Sequence, residues 1–122
     1  MLEVGPDRVR ARLDAGPRHQ QPYGILHGGV YCSIVEAVGS YGAGENAKAR
    51  GLRGCVGVSN HTDFLRSHST GELLVEGHPL HAGRTTQLWE VTIRRASDDA
   101  LVARGQVRLQ TLDVLPNERK GR

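Results

Sequence analysis

No stretch of the sequence approaches the roughly eighteen consecutive apolar residues that a membrane-spanning helix needs, which excludes such a helix. Aromatic side chains are scarce: Trp89, Phe64 and three tyrosines make up 4% of the chain. With sixteen glycines and 38% hydrophobic residues in 122, there is material for one core and too little chain for two ordinary domains. We read a single domain over residues 1–115 and a polar tail at 116–122. The core is thin enough that a second copy is expected to supply part of its cover.

Cysteine is nearly missing as well. Cys32 and Cys55 stand in apolar stretches and make no C-x-x-C pair, and His61, His68 and His78 show no metal-ligand spacing. The expectation is a protein without metal or cofactor. No charged segment followed by a short apolar run opens the sequence, so a reduced, cytoplasmic protein is expected. A pI near 9.2 suggests nucleic acid, but the net charge is only +3 and the basic residues are scattered among Asp and Glu. Nucleic acid is therefore not an expected partner, whereas a modest positive field suits a polyanionic small molecule.

Residues 8–14 alternate Val9, Ala11 and Leu13 with charged neighbours, the period of a half-buried strand, and should pair with 2–4 through the turn Gly5-Pro6-Asp7. Residues 16–26 fit neither period and read as a loop. From 27 to 44, Val30, Tyr31, Ile34, Val35, Val38 and Tyr41 recur at helical spacing. The other side of that helix carries Gly29, Ser33, Glu36, Ala37, Ser40 and Ala43, which is not a solvent face, so the helix is expected to be buried nearly all round. Period two returns after Gly54, with strands at 55–66, 72–81, 85–95 and 101–112. Gln87, Trp89, Val91 and Ile93 share one face, as do Leu101, Ala103, Val107 and Leu109. The short polar connections at 67–71, 82–83 and 96–100 read as hairpin turns. The result is an α+β fold, an antiparallel sheet wrapped around one long central helix.

Glu36 is the only Asp, Glu, Lys or Arg between Arg18 and Glu45. A carboxylate inside a buried helix is costly unless paired or used, and no cation lies within a turn of it on the helix. His27-Gly28-Gly29 stands at the helix start, where backbone N–H groups lack partners and can hold an oxyanion, and two glycines let a substrate approach the backbone. Glu36 lies about 12 Å of helical rise further on, too far for one substrate atom to touch both. If both groups serve one reaction, they must come from two helices and hence from two subunits. The alternatives are an arginine partner for Glu36 and an ordinary loop-to-helix entry at the glycines.

The segment HGGVYCSIVEAVGS resembles the active-site helix of hotdog-fold acyl-CoA thioesterases of the phenylacetate-degradation and 4-hydroxybenzoyl-CoA (Arthrobacter) type. GVSNHTDFLRS, HAGRTTQLWEVTI and LVARGQVRLQTL resemble the strands that follow in that family, so the likeness runs from about residue 9 to 112. It implies a hotdog fold, a homodimer or dimer of dimers, and hydrolysis of an acyl-CoA, with coenzyme A entering only as part of the substrate. It also places the family's catalytic carboxylate on Glu36 and the N–H that polarises the thioester on Gly28, with His27 beside it. The loop glutamine falls on Gln21 and a hydroxyl one turn past the acid on Ser40. The acid comes from one subunit and the glycine and glutamine from its neighbour.

For the substrate, Gly29 and Asn60 are further candidate contacts. His81, Gly83, Arg84 and Thr85 stand at a strand-to-strand turn with a guanidinium suited to phosphate, and Arg66 at a strand end is a second candidate. Two departures from the family stand out. The family's helix before the first strand has no counterpart in this sequence, which puts part of the pocket lining in doubt, and Ser67 stands where proline is frequent. Gly39, Gly42 and Gly44 should loosen the second half of the helix. Tyr31, Val35, Phe64 and Leu65 could line an acyl pocket for aromatic, medium-chain or longer groups. Whether Glu36 acts as general base or as nucleophile stays open. The competing readings are a hotdog dehydratase or hydratase, which would need a histidine paired with the helix acid, and a non-catalytic acyl-CoA-binding module, which would lack the acid.

Overall fold

The computed structural model describes residues 1–113, so the expectation of a polar tail at 116–122 lies outside the described residues. The elements run β1 (Glu3–Val4), β2 (Val9–Ala15), a single 3-10 turn (Pro17–His19), α1 (Gly28–Ala49), β3 (Gly54–Phe64), β4 (Gly71–Ala82), β5 (Thr86–Arg95) and β6 (Leu101–Leu112). Among the described residues the strands form one antiparallel sheet in the order β1-β2-β4-β5-β6-β3, and α1 lies across one face of it. This is the hotdog fold. No helix among the described residues is long and apolar enough to cross a membrane.

The alternation in β2 does what its period requires: Val9 and Ala15 are buried and the arginines between them exposed. In β5 the inward face is Gln87, Trp89, Val91 and Ile93, all fully buried. Trp89 donates its indole N–H to Gln87 Oε1 at 2.8 Å, and Gln87 Nε2 donates to the Ala43 carbonyl at 3.1 Å, so the buried amide ties sheet to helix with its polar atoms satisfied. In β6 the inward side carries Ala103, Gly105, Val107 and Leu109. Leu101 is only half-buried and Val102 fully buried, because the β5–β6 register slips between Ile93 and Arg94.

Further expectations need correction. The segment at 67–71 is not a hairpin. β3 pairs with β6 at one edge, whereas β4 lies between β2 and β5, so the connection crosses the end of the sheet. It is tied there by Leu65 N–H to the Val102 carbonyl (2.8 Å), Arg95 Nη1 to the Ser67 carbonyl (3.2 Å) and Leu26 N–H to the His68 carbonyl (2.8 Å). The helix continues past residue 44 to Ala49, burying Asn46 and Ala47. It ends in a Schellman motif in which Gly51, at φ 80°, donates to the Lys48 carbonyl and Leu52 to that of Ala47. Nor is the helix buried all round: Gly29, Ser33, Ala37 and Tyr41 lie along an open stripe, with Tyr41 56% exposed rather than in the core.

The glycines explain how close the helix lies. A methyl group at Gly39 would overlap the Val107 side chain, and one at Gly42 the Trp89 ring. From the sheet side, a Cβ at Gly77 would fall 2.7 Å from Val38 and one at Gly105 2.8 Å from Val35. Gly39 and Gly42 are therefore contact points rather than loose joints, and Gly44 alone of the three meets open space.

Gly42→Ala is expected to destabilise by about 1–3 kcal/mol, because the rigid indole cannot yield to the added methyl. Gly44→Ala should be neutral or raise stability by up to about 1 kcal/mol, through its better helix propensity. Thermal unfolding of the two variants side by side checks both; equal melting temperatures would contradict the packing.

Candidate active site

His27 is the N-cap of α1. Its Nδ1 accepts the Gly29 N–H at 3.0 Å, so in the neutral ring the proton sits on Nε2. Its own N–H donates to the His19 carbonyl at 2.9 Å, which fixes the loop against the helix start. Among the described residues the Gly28 N–H has no acceptor, as expected for the first turn of a helix. The Phe64 ring lies over Gly28, where a Cβ would fall 2.6 Å from Cε2, so only glycine fits beneath it.

Gly28 borders a cavity of about 450 Å³ that is also lined by Gln21, Ile25, Leu26, His27, Tyr31, Phe64, Leu65, Arg66 and Ser67. Gln21 belongs to a tight turn closed by Gly24 N–H to its carbonyl (2.9 Å), with Gly24 at φ 79°. Its side-chain Oε1 accepts the Tyr23 N–H, which leaves Nε2 without a hydrogen bond among the described residues. Arg66 is anchored by Nη1 to the Leu101 carbonyl at 2.8 Å. Tyr31 is buried against Phe64 with ring centroids 5.7 Å apart; its hydroxyl has no partner among the described residues, and burial raises its pKa above the ordinary value. Four of the residues singled out from the sequence, Gln21, His27, Gly28 and Arg66, thus share one cavity. Val35 does not line it and belongs to the core.

Glu36 stands elsewhere, on the side of α1 that faces β3. Its Oε2 accepts from Ser40 Oγ and its Oε1 from Asn60 Nδ2, each at 3.5 Å, and the carboxylate rests on Gly57, where a Cβ would overlap Oε2. Among the described residues no Lys or Arg forms an ion pair with it, so the arginine-partner alternative has no support within the chain. Cys55 lies alongside, with Sγ 3.7 Å from the Ser40 carbonyl. Burial, and after it the Glu36 charge, pushes the Cys55 thiol above the ordinary range.

The remaining candidates form a third group. His81, Arg84 and Thr85 are exposed at the β4–β5 turn, where Gly83 N–H donates to the Thr86 carbonyl at 2.9 Å. Arg84 and Thr85 line an open cavity of about 700 Å³ with Val56, Val58 and Leu112. Gly29 faces a separate apolar groove along the open stripe of the helix, with Val30, Ser33, Ile34 and Ala37. One chain therefore unites neither the free N–H with the carboxylate nor the arginine turn with either.

Gly57 and Cys55 were not foreseen from the sequence. A glycine inside a strand pattern signals close approach of another group, and that signal at Gly57 pointed at Glu36.

These observations meet a wider likeness. The sequence matches the family model of the thioesterase superfamily over residues 23–102. A provisionally named esterase of Mycobacterium tuberculosis is 49% identical over 115 residues, which is 93% of this chain and 81% of its own. Its solved structure superposes with a TM-score of 0.88 at 48% identity, over 93% of this chain and 90% of that one. The 1,4-dihydroxy-2-naphthoyl-CoA thioesterase 2 of Arabidopsis thaliana is 35% identical over 95 residues, 77% of this chain and 59% of its own. A Streptococcus mutans protein solved with bound acetyl-CoA shares the fold, with a TM-score of 0.82 at 20% identity over 91% of this chain and 86% of that one. The chain belongs to the thioesterase superfamily.

The Cys55 thiol reports on the neighbouring carboxylate independently of any turnover. In a Cys32→Ser background, its alkylation rate should rise with a midpoint pH above that of a free cysteine. Glu36→Gln removes the negative neighbour and should lower that midpoint. It should still lie above the free thiol's, because burial is the larger cause. A midpoint unmoved by Glu36→Gln would place the charge away from Cys55.

Proposed function

We propose that the protein hydrolyses acyl-CoA thioesters in a site shared between two copies of the chain. The observation that carries this reading is a helix carboxylate held, among the described residues, only by neutral donors, with a helix N-terminal N–H that has no acceptor among them about 12 Å along the same helix. Neither group is complete alone, and both flank an uncovered surface. β3 is an edge strand whose Val56 and Val58 are 39% and 58% exposed, and the helix stripe of Gly29, Ser33 and Ala37 is open as well. Antiparallel pairing of β3 with its own copy would cover both and set two helices side by side in opposite directions. The N-terminus of each then lies toward the middle of the other, in a homodimer or a dimer of dimers.

In such a site the Gly28 N–H and the Gln21 amide bind the thioester oxygen, and the N–H stabilises the negative charge that develops on it. Glu36 attacks from the partner's helix. It either takes a proton from the water that adds to the carbonyl or adds directly and is then released by water. Ser40 holds its second oxygen. The coenzyme A thiolate leaves and is protonated, and the free acid departs.

The acyl group enters the cavity under Phe64, against Tyr31 and Leu65, an apolar and partly aromatic lining that suits aromatic or aliphatic chains. The naphthoyl-CoA substrate in the Arabidopsis relative's name supports an aromatic group, and the acetyl-CoA in the Streptococcus structure supports coenzyme binding. Arg84, Thr85, His81 and Gly83, with Arg66, offer cationic and backbone contacts for the coenzyme phosphates. The reaction as proposed needs no cofactor or metal. Both cysteines are free thiols, which supports a reducing, cytoplasmic setting.

Thiol release from an aromatic and from a straight-chain acyl-CoA tests the reading. Glu36→Gln should lower kcat at least about 10²-fold with melting temperature and oligomer size retained. Glu36→Asp, which withdraws the charge by about one methylene, should also be severely impaired. A Glu36→Gln protein destabilised by about 3–5 kcal/mol but turning over normally per folded molecule would identify a merely paired carboxylate and reject the assignment.

A further inference from the structure

Along β3 the residues paired with the inward side of β6 are Gly57 (with Leu109), Asn60 (with Val107), Thr62 (with Gly105) and Phe64 (with Ala103). An unbroken strand would have put Gly57, Ser59, His61 and Asp63 on that side, since successive side chains alternate. The change of parity comes from the register slip between Gly57 and Ser59, which leaves Val58 as the extra residue of a β-bulge. Because of the slip, the glycine that seats the Glu36 carboxylate and the amide of Asn60 face the same side of the sheet.

We propose that Asn60, held in orientation by Thr62, is the positioning residue for the Glu36 carboxylate, and that the bulge at Val58 places it there. The inference rests on the reading of Glu36 as the catalytic carboxylate. Asn60 Nδ2 donates to the Cys32 carbonyl at 3.0 Å and to Glu36 Oε1 at 3.5 Å, so both amide hydrogens point at the helix. Asn60 Oδ1 accepts from Thr62 Oγ1 at 2.7 Å. A flipped amide would turn its oxygen against a carbonyl and a carboxylate, so these two acceptors allow one orientation and leave Oδ1 to the Thr62 hydroxyl. The Thr62 hydroxyl itself has room only because its cross-strand partner is glycine: a Cβ at Gly105 would fall 2.6 Å from Oγ1.

Every member of this relay is neutral. A cation in the place of Asn60 would neutralise the acid and compete for it, whereas an amide donor holds one oxygen still and leaves the charge available to the reaction. At 3.5 Å the bond to Oε1 is long, as such bonds commonly are before a substrate closes the site. From the sequence, Asn60 is a candidate substrate contact. A substrate contact would act without Glu36, and that difference is measurable.

Steady-state kinetics on the full-length oligomer, with one acyl-CoA that the parent protein turns over, tests the relay. Asn60→Ala should lower kcat about 10²-fold with KM changed less than about threefold, the signature of a misplaced reacting group. Thr62→Val keeps the shape but removes the donor, and should lose about tenfold in kcat, while Thr62→Ser should restore it. In a Glu36→Gln background, Asn60→Ala should cost nothing further, because a positioning residue has nothing left to position. Where Asn60→Ala fails to assemble, the Thr62→Val and Thr62→Ser pair carries the same test. A raised KM at unchanged kcat, or an equal loss with and without Glu36, would overturn the proposal and make Asn60 a substrate contact. If Glu36→Gln abolishes turnover and Asn60→Ala does not, the relay alone is wrong. If Glu36→Gln turns over normally, the acid assignment has failed.

Discussion

The distance between one helix and the sheet beneath it governs both the stability and the chemistry of this protein. Gly39 and Gly42 bring the helix down onto Val107 and Trp89, and Gly77 and Gly105 receive Val38 and Val35 from above. The same close approach seats the Glu36 carboxylate on Gly57. Because these contacts are shared, the position of the acid follows from core packing rather than from a flexible loop, as a reacting group held to within about 0.5 Å requires. The buried Gln87 amide adds a polar tie across this interface, with its oxygen given to Trp89 and its nitrogen to the Ala43 carbonyl.

Around that seat the electrostatics are arranged by omission. No Lys or Arg among the described residues pairs with Glu36, and the donors that reach it are a hydroxyl and an amide. A guanidinium there would make a structural ion pair, whereas neutral donors leave a charge that can act on a substrate. The positive side chains lie elsewhere, at the Arg84 turn and at Arg66, where a coenzyme's phosphates are proposed to bind. At the start of the helix, positive character comes from the backbone alone, through the free Gly28 N–H and the helix dipole.

Much of the fold was legible because its signals are local. The alternation around Trp89, the helical spacing from Val30 to Val38 and the isolation of Glu36 each need only a short window of sequence. What was not legible depends on pairing between distant segments. The bulge at Val58 changes which residues of β3 face the helix, and its local mark, the neighbouring Gly57, equally signals the close approach of another group. The crossing at 67–71 has the same short polar composition as a hairpin, and only the placement of β4 between β2 and β5 tells them apart. The glycines of the helix misled in a different way. Propensity marks them as weak points, while packing makes Gly39 and Gly42 the places where the helix is most tightly held. Gly51 and Leu52, which close the helix in a Schellman motif, were a readable stop signal that those internal glycines obscured.

The central claim is that Glu36 of one copy and the Gly28 N–H of another complete a single site. Subunit mixing tests it most directly. Glu36→Gln removes the acid, and Gly28→Pro removes the donor at the first helical position, made together with Phe64→Ala so that the ring over Gly28 leaves room for the proline. Each variant alone should be inactive. After the two are unfolded together, refolded and allowed to pair at random, about half of the dimers are mixed and each holds one intact site. The shared site therefore requires recovery of about a quarter of the parent activity. No recovery, from mixtures shown by differential tags to contain the mixed dimer, would place both groups in one chain and contradict the account.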